Sequence, residues 1–160
     1  AIMAATSVYS SLFASASSSA PATGRPISSP FGDDCDIVSY TYADTSLDDA
    51  GDFVGLIPVR YGKKLVALAF TCGDGDSGTG VLDMDIILRT VDKNGTATDT
   101  ILYNAGTAFA TAITTVTWVL LPTLPQVPSD ADNVGIIGTY VNVARNAAAT
   151  PTMVLLAIWR

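Results

Sequence analysis

Residues 81–90 read VLDMDIILRT, and the fold class follows from how this stretch is read. Leu82, Met84, Ile86 and Leu88 fall on one side of an extended chain, and Asp83 and Asp85 fall on the other. That period of two marks a half-buried β-strand. The carboxylates fix its register, because a slip of one residue would bury two charges and expose four apolar side chains.

The same period continues in both directions. Towards the N-terminus, LVALAFTC (65–72) is almost wholly apolar and reads as a central strand, with FVGLIPV (53–59) before it. IVSYTYA (37–43) sets Val38, Tyr40 and Tyr42 against Ser39 and Thr41. Towards the C-terminus, Asn94-Gly95 is a strong hairpin-turn signal. ILYNAGTAFATAI (101–113) is Ala-rich and ambiguous between a short helix and a loop crossing. TTVTWVLL (114–121) reads as a strand with Val116, Trp118 and Leu120 inward and Thr115 and Thr117 outward. The prolines of PTLPQVPSDAD (122–132) require an extended connection. NVGIIGTYVNVA and PTMVLLAIWR then read as a closing hairpin through the RNAAATP turn. Seven or eight such strands predict an all-β, antiparallel β-sandwich or barrel.

Composition supports this and removes several functions. All 15 acidic residues are Asp, set against 8 Lys plus Arg and a single Gln, Gln126. The side chains that favour long solvent-facing helices are therefore scarce. At 160 residues and 49% hydrophobic content, the chain is one domain with a real core. Only 14% of residues are charged, against about a quarter in an ordinary globular domain, which predicts a surface partly covered by other subunits. A net charge of −7 argues against direct nucleic-acid binding. No apolar run reaches the roughly 18 residues of a membrane span. The opening AIMAATSVYSSLFASASSSAPA has no basic leader, so the expectation is a soluble protein without a secretion signal.

TCGDGDSGTGVLDMD (71–85) carries two suggestive spellings. Its Gly-Asp-Ser-Gly run resembles the surroundings of a serine-protease nucleophile, but the chain has no histidine to take the proton from Ser77. Lys63 and Lys64 offer no recommended alternative spacing. Read as a helix-loop-helix calcium loop from Asp74, it puts Thr79 where Gly is required and Asp85 where a bidentate Glu is required. A looser cation site on Asp74 and Asp76 stays open beside the simpler reading of a Gly-rich turn that contacts a neighbouring subunit. Cys35 and Cys72 lack metal-site spacing and are expected to be thiols rather than a disulfide. Without His or Glu, no catalytic set and no cofactor site is expected.

Residues 1–32 differ from the β-sandwich domain expected over 33–160. They are rich in Ala, Ser and Pro, and Arg25 is their one charged side chain. Such an arm gains too little from apolar burial to order by itself, so it should lie against its own body or a neighbouring subunit. Val8, Tyr9, Leu12 and Phe13 are its candidate anchors, and Trp159 at the far end of the chain is a further candidate partner contact.

The small-residue strand, the Asp/Ser/Gly/Thr turn, GVLDMDIIL, LYNAGTAFATA and the closing VGIIGTYVNVA and MVLLAIWR together resemble small structural proteins of tailed bacteriophages over roughly residues 53–160. The resemblance is to virion proteins that decorate or cement the head, or adapt it to fibres. It implies a jelly-roll-like sandwich with an extended N-terminal arm lacing across neighbours, a homo-oligomer (a trimer by analogy), and the major capsid protein or other virion proteins as partners. The implied location is the capsid exterior, after assembly from the host cytoplasm. The alternative from another class is a fibre-head or lectin-like carbohydrate-binding module, for which exposed aromatics would be needed.

Overall fold

The computed structural model describes residues 7–9, 27–28, 34–43, 46–60, 62–77, 80–121 and 134–160. Among the described residues, ten strands form two five-stranded sheets: β1 (Ser7–Tyr9), β2 (Ile27–Ser28), β3 (Asp34–Thr41), β4 (Phe53–Pro58), β5 (Leu65–Cys72), β6 (Asp83–Val91), β7 (Ala97–Tyr103), β8 (Ile113–Leu120), β9 (Val134–Val143) and β10 (Thr152–Trp159). A 3-10 turn at Gly106–Ala110 connects β7 to β8. The first sheet runs β1-β4-β9-β6-β7 and the second β2-β3-β10-β5-β8.

The pairings are nested. β6 pairs with β7, β5 with β8, β4 with β9, and β3 with β10, all antiparallel. The body is thus one long hairpin, folded at its tip and rolled up so that β9 also meets β6 and β10 also meets β5. This is a jelly-roll sandwich. The tip is the Asn94-Gly95 turn the sequence singled out. Asp92 Oδ1 accepts from the N–H groups of Asn94 at 2.9 Å and Thr96 at 2.8 Å, and Gly95 supplies the positive φ of 82° that the turn requires.

The core lies between the sheets. Leu82, Met84, Ile86 and Leu88 all face it, as the alternation of 81–90 predicts, together with Tyr42, Leu56, Leu68, Phe70, Phe109 and Leu155. Phe70 packs against Tyr103 and Phe109 at centroid separations of 5.1 and 5.4 Å. The buried Tyr42 hydroxyl hydrogen-bonds Thr139 Oγ1 at 2.8 Å. Cys72 faces this core and Cys35 the opposite side of the second sheet, and the two are not joined in a disulfide.

Four expectations are corrected. β9 and β10 do not form a hairpin; each is central in a different sheet, and residues 144–151 cross between the layers. Val116, Trp118 and Leu120 point outward, while Val119 and Leu121 pack towards the core. Asp85 is on the outward side of β6 yet only 3% exposed, because Asn142 Nδ2 and the Ala105 N–H cover it with hydrogen bonds of 2.8 and 3.1 Å. Trp159 is fully buried rather than a surface contact.

Candidate interaction surface

The two outer faces of the sandwich differ in charge. On the first sheet, Arg89 forms a two-pronged ion pair with Asp99, both contacts at 2.7 Å, and its guanidinium lies 4.1 Å above the Phe53 ring. Phe53, Ile87, Ile136 and Tyr140 form a small cluster beneath this cation. Gly138 makes that packing possible, since a Cβ there would stand 2.2 Å from the Val54 carbonyl oxygen and 2.7 Å from the Phe53 ring. Asp83 and Asp85 share Asn142 on the same face. Charge and hydrogen bonds therefore cap the central apolar groups of this face, while Ile101, Val134 and Val143 on the same sheet are exposed.

Among the described residues, the outer face of the second sheet has no such cover. Its outward positions are Cys35, Ile37, Ser39 and Thr41 on β3, Ala67, Ala69 and Thr71 on β5, Val116, Trp118 and Leu120 on β8, and Thr152, Val154, Leu156 and Ile158 on β10, with no charged side chain among them. A groove of about 250 Å³ runs across it between Ile37, Thr71, Val116, Trp118, Val154 and Leu156. Trp118 is 58% exposed, Leu120 77%, Val116 52% and Val154 39%. A contiguous apolar patch without a charged side chain, on a sandwich whose other face carries Asp83, Asp85, Arg89 and Asp99, is a candidate contact surface. Thr71 contributes the one side-chain hydroxyl in the groove, so the site selects by shape and apolar contact.

The sequence-derived candidates whose side chains the structure describes do not line this groove. Val8 and Tyr9 lie on β1, whose backbone pairs in parallel with Phe53–Gly55 of the same chain; their side chains, and all of Leu12 and Phe13, are outside the described residues. Trp159 donates its indole N–H to Asp36 Oδ2 at 2.9 Å, and Arg60 grips the same carboxylate from its other side with two contacts of 2.7 Å. This closes one end of the core. Asp74 and Asp76 organise a loop. Asp74 Oδ1 accepts from the Asp76 N–H at 3.1 Å, and Asp76, 3% exposed, accepts from the N–H groups of Val81, Asn146 and Ala147 at 3.0 to 3.2 Å. Asp76 thus ties the Gly-rich loop to the crossing that leads from β9 to β10. Ser77 donates to the Ala148 carbonyl at 3.1 Å in the same seam.

Burial pushes the Cys72 thiol up to about 12 and raises the Tyr42 hydroxyl well above the usual phenol range. Both are therefore neutral core groups rather than nucleophiles. Among the described residues, no helix is long and apolar enough to cross a membrane.

No protein-family model and no curated protein matches this sequence. Among solved structures, the chain is similar to one described as the capsid of Ralstonia phage GP4, with a TM-score of 0.57 and 15% identity, over 96% of this chain and 97% of that one. At that identity the likeness is one of fold, and it extends end to end.

Proposed function

We propose that this chain is a non-enzymatic structural protein of a phage virion, decorating or cementing the capsid through subunit contacts. The end-to-end likeness to a chain from a phage capsid, 96% of one against 97% of the other, carries this reading. An uncharged, apolar outer face agrees with it, because an assembly component gains affinity from buried area repeated over many copies rather than from a pocket. The expected partners are the major capsid protein or other virion proteins, met on the capsid exterior. The acidic remainder of the surface, in a chain of net charge −7, suits docking on basic patches of a shell. The experiment is reconstitution: the full-length protein is added to particles that lack it and imaged by electron microscopy. Added density at regular positions on the head is the expected result. Density confined to tail fibres, or none, overturns the proposal.

The exposed indole of Trp118 beside a groove favours a second reading, carbohydrate binding. Sugars, however, require several convergent polar groups besides a stacking ring, and the groove supplies the Thr71 hydroxyl alone. The protein-contact reading is the better supported of the two.

A further inference from the structure

We infer that the outer face of the second sheet is a self-association surface, which packs face to face against the same face of a second copy across a two-fold axis. Three observations select a second copy as the occupant.

The first is charge. Two copies of a chain with net charge −7 repel one another, and the repulsion is least where neither brings a charged group into the contact. The outward positions of β3, β5, β8 and β10 are such a place, whereas the outer face of the first sheet carries Asp83, Asp85, Arg89 and Asp99. A basic partner would be drawn to the acidic surface instead, so the neutral face is left for a neutral, apolar counterpart.

The second is shape. Trp118 stands proud beside a groove whose far side is formed by Ile37, Val154 and Leu156, so one face presents both a projection and a hollow. A two-fold contact needs this self-complementarity, because each residue i that meets j is matched by j meeting i. Sheets packed face to face stand about 10 Å apart, a gap that interdigitating side chains of this size fill.

The third is area. The exposed side chains of Val116, Trp118, Leu120 and Val154, with the half-buried ones beside them, amount to roughly 600 Å² per copy, hence roughly 1,200 Å² in all, the lower bound for a specific interface. Trp118, on the edge strand β8, is the largest of these exposed side chains, and tryptophan is enriched among the residues that contribute most to a contact.

The inference rests on this face being a contact surface. It does not depend on which particle the protein belongs to. It replaces the trimer of the analogy with a two-fold pair.

The test is sedimentation of the full-length chain over micromolar concentrations, for the wild type, Trp118→Lys, Val154→Lys, and Ile101→Lys on the first sheet. Far-UV circular dichroism and thermal melts establish that each variant is folded. A wild-type dimer is expected, with both second-sheet variants weakening it at least tenfold and Ile101→Lys leaving it intact. Acrylamide quenching gives an independent readout, since dilution of the dimer should uncover Trp118 while Trp159 stays shielded. A wild type that stays monomeric overturns the inference. So does a trimer, or an oligomer indifferent to both second-sheet substitutions. A monomer that nonetheless decorates particles would sink this inference and leave the proposed function standing.

Discussion

Asp36 is the residue whose surroundings are most demanding. Its side chain faces inward from β3, and it receives both prongs of Arg60 and the Trp159 indole. Asp36→Ala would remove the acceptor that the Trp159 indole N–H and the Arg60 guanidinium share. With Arg60 about a quarter exposed and so partly solvated, the expected loss is about 2–3 kcal/mol, read from urea denaturation midpoints. Cys72 and Tyr42 give a pH dependence. Their protons are held more tightly in the folded chain than in the unfolded one, so this contribution is complete below the thiol's ordinary value of 9.0 and declines as pH rises towards about 12. Melting temperatures should fall progressively from about pH 9 upward, and Cys72→Ala should flatten the part of that fall due to the thiol. A melting temperature level across this range would contradict the burial argument.

At the scale of the element, the β6–β7 hairpin is the innermost of the nested pairs. Its partners are close in sequence, 8 residues apart at Thr90–Thr98, while the outermost pair joins Thr41 to Thr152, 111 residues apart. Loop-closure entropy therefore favours forming β6–β7 first and closing β3 against β10 last. Gly95→Ala places a Cβ at a φ of 82° and should destabilise the turn by about 1 kcal/mol. Stopped-flow measurements should show this loss as slower refolding with little change in the unfolding rate; the reverse partition would place the hairpin late. β8 illustrates a different point about strands. Alternation says that Val116, Trp118 and Leu120 share a face, and they do. It does not say which face meets the core, and here Thr117 and Val119 take the inner side.

For the whole molecule, every described residue of the main core cluster lies between β3 and β10, which predicts that the body folds without residues 1–30. Deleting them should preserve a cooperative melt and a β-type circular dichroism spectrum while abolishing attachment to capsids, as expected of an arm that reaches neighbouring subunits. Unchanged attachment after truncation would transfer that role to the body. The short strands β1 and β2 pair with β4 and β3 of the same chain, which anchors parts of the arm at the edges of both sheets.

Where a strand carries charge on one side, as with Asp83 and Asp85, the sequence alone settled both the period and the inward face, because burying unpaired carboxylates is too costly. The hairpin tip was equally local, written in Asn94-Gly95. Where both sides of a strand tolerate burial, as in β8, the direction depended on which sheet the strand joined and at which edge. The same dependence hid the pairing of β9 with β4 and β6 rather than with β10, the core position of Trp159 and the loop-tying role of Asp76, since each rests on contacts between residues far apart in the chain. The uncharged outer face is of this kind as well. Its residues come from four strands spread from Cys35 to Ile158, and only the rolled sandwich brings them onto one surface.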